Sequence, residues 1–145
     1  MSYTIRKGTE NDCTAALALI QELAVYEKAP HEVEVSLEEF TNYGFGPNAI
    51  YELLVAEKNN SIVGIALYYT KYSTWKGKCI YLEDLVVTQN ERGAGIGAGL
   101  FEAVIQVAKQ RKARRMEWQV LNWNQPAINF YSKYNAVLDG EWING

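Results

Sequence analysis

The sequence has few of the residues that build disulfide scaffolds or proline-rich chains, with 2 cysteines, 3 prolines and 11 glycines among 145 residues. Its longest apolar run, residues 62–69, is far shorter than the ~20 residues that a membrane-spanning helix needs. No apolar stretch follows a basic one at the N-terminus, so we expect no secretion signal and no membrane association. Cys13 and Cys79 form no CxxC motif, which predicts two reduced thiols in a cytoplasmic protein.

The composition, 48% apolar and 21% charged, is that of an ordinary globular protein. The length of the chain predicts one domain over residues 1–145. The formal net charge of −3 argues against non-specific binding of nucleic acid, which requires a basic surface. Residues 1–57 carry ten acids and three bases, whereas residues 58–145 carry seven acids and eleven bases. The first part could therefore attract a cation and the second an anion, unless both are simply solvated faces.

Hydrophobic periodicity predicts the element order β-α-α-β-β-β-α-β-α, which is an α/β fold with helices packed on a mixed sheet. Capping-box patterns at residues 9–12 and 36–39 predict the starts of the first two helices, and Asn124 is expected to cap the last one. Asn59-Asn60-Ser61 is typical of a hairpin turn. The predicted strands cover residues 3–7, 51–58, 62–72, 78–87 and 115–121.

A glycine-rich segment, Arg92-Gly93-Ala94-Gly95-Ile96-Gly97-Ala98, lies between a predicted buried strand and a helix. Bare backbone amides and a helix N-terminus favour an anion there, and the Arg92 side chain adds a full positive charge, so we predict a phosphate or pyrophosphate ligand. A Walker loop is excluded because Ala98 follows Gly97. A dinucleotide fingerprint is formally matched by Gly93, Gly95 and Ala98, but its acidic partner is poorly matched by Glu117; a ligand-free turn is the remaining alternative.

The pattern Arg-x-x-Gly-x-Gly at Arg92, Gly95 and Gly97, followed by Asn124-Gln125-Pro126-Ala127-Ile128-Asn129-Phe130-Tyr131, resembles the GCN5-related N-acetyltransferase (GNAT) superfamily. Tyr81-Leu82-Glu83-Asp84 and other stretches resemble its diamine (spermidine/spermine) and thialysine N-acetyltransferases. The resemblance implies a mostly antiparallel mixed sheet with about four helices. Members of the family continue past the position of Trp142 into a final strand, which we expect to be short or missing here. The resemblance also implies acetyl-CoA as co-substrate, a small cationic amine as acceptor and a homodimer.

By the same resemblance, Tyr131 protonates the leaving sulfur and Glu83 takes the proton of the attacking amine. The implied acetyl-CoA contacts are Leu85, Val86, Val87, Arg92, Gly93, Ala94, Gly95, Ile96, Gly97, Ala98, Asn124 and Ala127. The implied acceptor contacts are Tyr26, Glu27, Trp75, Glu83 and Asp84.

Three structural expectations accompany these assignments. Glu83 and Asp84 are adjacent, so on a regular strand they would point to opposite faces and could not form a carboxylate pair. The strands that carry Leu85 and Gln119 should separate, which would leave room for the pantetheine arm. No metal site is expected, because the single histidine, His31, has no cysteine or histidine nearby in the sequence.

Two further functions remain open from the sequence. The acidic N-terminal part suits any cation, so acetylation of protein lysine side chains is one alternative. A module that binds acyl-CoA without turning it over is the other.

Overall fold

A computed structural model gives the fold of the protein over residues 2–145. The strands are β1 (Thr4–Lys7), β2 (Glu52–Lys58), β3 (Ser61–Ser73), β4 (Gly77–Val87) and β5 (Arg115–Glu117). The helices are α1 (Cys13–Tyr26), α2 (Leu37–Phe45), α3 (Ile96–Gln110) and α4 (Gln125–Ser132). Their order along the chain is the order predicted from hydrophobic periodicity.

The five strands form one sheet in the order β1-β2-β3-β4-β5. Every neighbouring pair is antiparallel except β4 and β5, which are parallel, so the predicted mixed and mostly antiparallel sheet is confirmed. Asn59 and Asn60 both adopt positive φ, 52° and 63°, as a two-residue hairpin turn with the twist of the flanking strands requires. Ser61, which was assigned to the turn, begins β3 instead.

A hydrophobic core lies on each face of the sheet. On one face, buried residues of α3 and α4 such as Phe101 and Tyr131 pack with Tyr68 and Leu82 of the strands. On the other face, α1 and α2 pack over Leu67 and Val86. Leu85 and Val87 contact the first core while Val86 belongs to the second, as expected for the apolar end of a strand buried on both sides.

Local hydrogen bonds account for where the helices begin. The Glu39 amide donates to the Ser36 hydroxyl at 3.1 Å, so the predicted cap of α2 is formed. The Thr9 amide donates to the Asp12 carboxylate at 2.7 Å, but residues 10–12 make a 3₁₀ turn and α1 begins only at Cys13. α3 begins at Ile96, inside the glycine segment and earlier than its apolar periodicity indicated.

The fifth predicted strand is shorter than expected, because β5 ends at Glu117 rather than at residue 121. No strand follows α4 within the described chain, which agrees with the expected short or missing C-terminal strand. Across residues 2–145, none of the helices has both the length and the apolar character needed to cross a bilayer.

Candidate active site

The glycine segment forms an open cradle at the N-terminus of α3. Gly93 and Gly95 have φ of +87° and +84°, a region that residues with a Cβ rarely adopt, and a Cβ at either position would meet nothing within 4 Å. Gly95 is the N-cap of the fifteen-residue α3 and supplies no capping side chain. The first amides of α3 are therefore left to an anion, and protein side chains do not fill the space above the two glycines.

Two contacts fix this cradle from outside. The Tyr3 hydroxyl donates to the Gly95 carbonyl at 3.1 Å, and the Arg92 Nε donates to the Val87 carbonyl at 3.0 Å. The Val87 bond ties the loop to the end of β4. Sequence reasoning missed Tyr3, because nothing local signals a contact between residues 92 positions apart.

The edge of β4 that faces β5 is open beside this cradle. β4 pairs with β5 only from Cys79 to Tyr81, opposite Arg115 to Glu117, although β4 itself continues to Val87. Leu85 and Gln119 do not pair, as expected for strands that separate at this point. Within the described residues, the backbone edge at 83–87 thus has no strand partner on the β5 side and can bond an extended ligand as a strand would.

A β-bulge changes where Glu83 and Asp84 point. In the β3–β4 ladder Leu67 lies opposite Asp84 and Tyr68 lies opposite Leu82, so Glu83 is an extra residue. The expectation that the two carboxylates point to opposite faces is therefore wrong, because the bulge interrupts the alternation at this step. Both line one cavity of about 470 Å³ on the α1–α2 face of the sheet.

That cavity has apolar walls and acidic groups. Its apolar and aromatic lining is Leu17, Ile20, Val33, Val35, Phe40, Tyr43, Ile50, Tyr51 and Leu67. Its acidic lining is Glu39, Glu83 and Asp84. A cation attached to an apolar chain is the chemistry that such a lining suits. Glu39 was not singled out in the sequence, where it reads only as part of a capping box.

The carboxylates perturb one another and Tyr131. Burial, together with the charges of Glu83 and Glu27, raises the pKa of Asp84 to about 6. Burial also raises the pKa of Glu27. Burial and the charges of Glu27 and Asp84 raise the pKa of Tyr131 to about 12, so its hydroxyl stays protonated at neutral pH. These shifts show that Glu27, Asp84 and Tyr131 lie close enough to sense each other's charge.

Tyr131 is held rigidly on α4. It is 8% exposed, and its ring centroid lies 4.9 Å from that of Trp118 and 5.5 Å from that of Phe101. The ring is thus packed into the core, and the charges of Glu27 and Asp84 act on its hydroxyl. A phenol whose ring is fixed in this way can serve as a proton donor.

Tyr26 links the cradle to α4. Its hydroxyl donates to Asn124 Oδ1 at 3.3 Å, and the same oxygen accepts the Ala127 amide at 3.3 Å. The Arg92 guanidinium lies 5.4 Å from the centre of the Tyr26 ring. The structure therefore brings together Tyr26, Asn124 and Arg92, which the sequence placed in two different sets.

Trp75 does not line this cavity in its own chain. It lies at the tip of the β3–β4 hairpin and is 80% exposed. From Gly77 to Glu83 the strand alone spans about 20 Å at ~3.3 Å per residue. Among residues 2–145, no group of three or more His, Cys, Asp or Glu side chains is arranged to hold a metal ion.

Comparison with known proteins decides the family. The sequence profile of the acetyltransferase (GNAT) family matches residues 16–135. The chain belongs to the acetyltransferase (GNAT) family. The predicted superfamily, fold and acyltransferase class are confirmed by this match, and the family uses acetyl-CoA.

Close relatives have names that agree with the resemblance. The thialysine N-epsilon-acetyltransferase of Mus musculus is 39% identical over 143 residues, covering 93% of this chain and 84% of that protein. The enzyme of the same name from Bos taurus is 41% identical over 140 residues, covering 91% and 82%. A spermidine/spermine N(1)-acetyltransferase-like protein 1 of Homo sapiens is 37% identical over 142 residues, which is 20% of its length.

Solved structures share the GNAT fold. An aminoglycoside acetyltransferase from an uncultured soil metagenomic sample superposes with a TM-score of 0.80 at 20% identity, covering 99% of this chain and 93% of that one. A transcriptional regulator from Bacillus halodurans C-125 superposes with a TM-score of 0.82 at 22% identity, covering 99% of both chains. At these identities the likeness establishes the fold alone.

The residues present fit the co-substrate of the family. The cradle at Gly93–Gly95 is open, the first amides of α3 are free, Arg92 adds positive charge and the β4 edge is unpaired. The cradle, the free amides and Arg92 suit a diphosphate, and the unpaired β4 edge beside them suits an extended arm that contains amide groups.

Proposed function

We propose that this GNAT-family enzyme transfers an acetyl group from acetyl-CoA to the primary amine of a small cationic acceptor such as a polyamine, a diamine or a thialysine-like amine. The observation that carries the proposal is that Glu83 and Asp84 line one cavity beside the unpaired end of β4, with the charge of Asp84 acting on Tyr131. The names of the thialysine N-epsilon-acetyltransferase relatives support the same class of acceptor.

Acetyl-CoA, when bound, supplies an acetyl group activated as a thioester. We assign its diphosphate to the amides of Gly93 through Ala98 with the charge of Arg92, and its pantetheine arm to the backbone of Leu85, Val86 and Val87. Asn124 and Ala127 complete this surface at the start of α4, where Asn124 already accepts two hydrogen bonds. A backbone amide aimed at the carbonyl oxygen stabilises the transition state by about 3 kcal/mol.

The acceptor site combines attraction for a cation with an apolar wall. Asp84 and Glu83 would draw the ammonium group to the bulge, and methylene groups would lie along side chains such as Leu17 and Ile20. Glu27 would neutralise a second, distal ammonium. Because the attacking nitrogen needs a free lone pair, one of these carboxylates must first take up a proton.

Proton transfer is assigned to two residues. Glu83 accepts a proton of the attacking amine at its carboxylate, directly or through water. Tyr131 holds on its hydroxyl oxygen the proton that the leaving sulfur requires. Its raised pKa favours this role, since the hydroxyl is protonated at neutral pH and cannot compete as a base.

Several broader features belong to the same proposal. We treat residues 1–145 as one domain, because the two cores share a single sheet. We place the enzyme in the cytoplasm, where Cys13 and Cys79 would remain the free thiols they are here. We also propose a homodimer, since Trp75 lies too far from its own cavity to contact the acceptor and would reach an acceptor only from a second copy.

Thiol release from acetyl-CoA, measured against a panel of polyamines, diamines, thialysine and a lysine peptide, tests the proposal. We expect turnover with the small amines, and Tyr131→Phe should lower kcat more than tenfold while leaving the Kd of acetyl-CoA nearly unchanged. Tyr72→Phe, at a tyrosine that is 75% exposed on β3, is the matched control. Binding of acetyl-CoA without turnover of any amine would contradict the proposal.

A further inference from the structure

Glu83 is an exposed side chain that nevertheless has a fixed neighbour. Its Oε1 accepts a hydrogen bond from the Tyr69 hydroxyl at 2.9 Å, the single hydrogen bond to this carboxylate within residues 2–145. A surface glutamate without such a donor samples many rotamers, whereas a proton acceptor must stay within hydrogen-bond reach of the amine. The side chain that receives the proton therefore depends on Tyr69 for its position.

The register of β3 and β4 makes this pairing possible. On the regular part of the ladder Tyr69 lies directly opposite Tyr81, on the same face as Leu67. Glu83, two residues after Tyr81, lies on that face by the ordinary alternation of the strand, so the Tyr69 hydroxyl can reach it. The extra residue then brings Asp84 onto the same face; without it, Asp84 would follow Ile80 and Leu82 toward the core that surrounds Phe101.

Tyr69 is itself held in place by the next residues along the sheet. Its ring stacks on Tyr81 with centroids 5.4 Å apart and planes inclined by 29°. Lys71 lies 5.3 Å above the Tyr81 ring and forms an ion pair with Glu117 at 2.7 Å. This row of contacts runs from β5 to Glu83 and fixes the direction of the Tyr69 hydroxyl.

We propose that Tyr69 is a positioning residue for acetyl transfer, which holds the Glu83 carboxylate toward the acceptor cavity. Glu83 lines that cavity but Tyr69 does not, so Tyr69 acts through Glu83 rather than on the amine. The inference rests on the proposed function of the site. It adds to it a residue that no sequence motif marked.

Tyr69→Phe is the direct test, because it removes one oxygen and keeps the stacked ring. We expect kcat/KM for the amine to fall about tenfold, as for loss of a hydrogen bond to a charged group, with the KM for acetyl-CoA changed less than twofold. Tyr72→Phe on the same strand should behave as wild type. Thermal unfolding of each variant shows whether the fold is retained.

A double-mutant cycle separates positioning from a merely structural role. Glu83→Ala removes the group that Tyr69 is proposed to hold, so adding Tyr69→Phe to it should cause almost no further loss. An additional tenfold loss in the double variant would overturn the inference, since Tyr69 would then act independently of Glu83. If Tyr69→Phe is unstable, Lys71→Met tests the same row, with a two- to threefold loss expected alone and none in the Glu83→Ala background.

The outcomes distinguish this inference from the proposed function. A wild-type enzyme that acetylates amines and a Tyr69→Phe variant of equal activity would overturn the role of Tyr69 alone. A wild-type protein that releases no thiol with any amine would overturn the proposed function, whatever Tyr69 does.

Discussion

Asp12 and Asp84 are both carboxylates withdrawn from solvent, yet the protein surrounds them in opposite ways. Asp12, 6% exposed, accepts hydrogen bonds from both terminal nitrogens of Arg6, at 2.8 and 3.0 Å, and from the Thr9 amide. The hydrogen bonds from Arg6 hold the pKa of Asp12 below its usual value. Asp84 has no ion pair within residues 2–145, and its burial, followed by the charges of Glu83 and Glu27, raises its pKa to about 6.

The charge of Asp12 is compensated inside the chain, whereas Asp84 has only like charges near it, which we propose an acceptor cation compensates. Asp12 stabilises the junction between β1 and α1 at neutral pH. Asp84 destabilises the folded chain in the absence of acceptor, and binding of an ammonium group would relieve that cost. Perturbed titration next to a cavity is a common mark of a functional site.

Removing the charge of Asp84 should have the largest effect. In Asp84→Asn we expect kcat/KM for the amine to fall about 100-fold, because a neutral amide neither attracts the ammonium nor supports its deprotonation. Thiol release at fixed acetyl-CoA measures this loss. Glu38→Gln, at an exposed carboxylate of α2 outside the acceptor cavity, makes the same charge change and should leave turnover intact; a loss of less than threefold in Asp84→Asn would mean that Asp84 is dispensable.

The second prediction concerns Asp12, where we expect a loss of stability and little loss of turnover. Asp12→Asn should lower the free energy of unfolding by about 2 kcal/mol at pH 7, less than for a fully buried pair because the Arg6 side chain is 34% exposed. Its kcat should stay within twofold of wild type. Because the pKa of Asp12 is lowered by folding, its contribution is present above its ordinary pKa of 3.8 and is lost as pH falls further.

Urea unfolding of the wild type and of Asp12→Asn at pH 7 and at pH 3 checks the direction of this pH dependence. The difference between wild type and Asp12→Asn should shrink at the lower pH. If the difference in unfolding free energy were equal at the two pH values, the ion pair of Arg6 with the ionised Asp12 carboxylate would not contribute to stability.

Many of the features behind the difference between Asp12 and Asp84 could be predicted from the sequence, and others could not. The Thr9–Asp12 spacing predicted that Asp12 would serve a helix start, and the glycine segment predicted the anion cradle, because both patterns act over a few residues. The element order followed from periodicity over longer windows, and the open β4 edge was implied by the family resemblance. Where a pattern acts over a few residues or one regular period, propensity and spacing suffice to find it.

The arrangement of the carboxylates proposed to bind the acceptor could not be predicted in the same way. A regular strand would separate Glu83 from Asp84, and only the pairing of β3 with β4 introduces the bulge that puts them together. The contacts of Tyr69 with Glu83, of Tyr26 with Asn124 and of Tyr3 with Gly95 likewise join distant parts of the chain. Such contacts depend on register, which amino-acid pattern alone does not fix at a bulge.

The third prediction concerns stability at the cavity. Folding raises the pKa of Asp84 from 3.8 to about 6, so the folded chain binds an extra proton between those values and loses stability as pH rises through them. Asp84→Asn removes this cost and should gain about 1 kcal/mol above pH 6, with no gain near pH 4. Thermal unfolding at pH 4 and pH 8 measures it, and a variant less stable than wild type at pH 8 would contradict the uncompensated state of Asp84.

The smallest expected effect lies at Glu27, which faces the same cluster but is assigned to the far end of the acceptor. Glu27→Gln should raise the KM for a diamine about threefold, within the range for a partly exposed ion pair, and leave the KM for a monoamine of the same length unchanged. Glu32→Gln, an exposed acid in the loop after α1, is the matched control. The charge of Glu27 contributes to the raised pKa values of Asp84 and Tyr131. Equal effects of Glu27→Gln on the two amines would therefore mean that Glu27 acts on the reacting nitrogen through these two residues, and not on a distal cation.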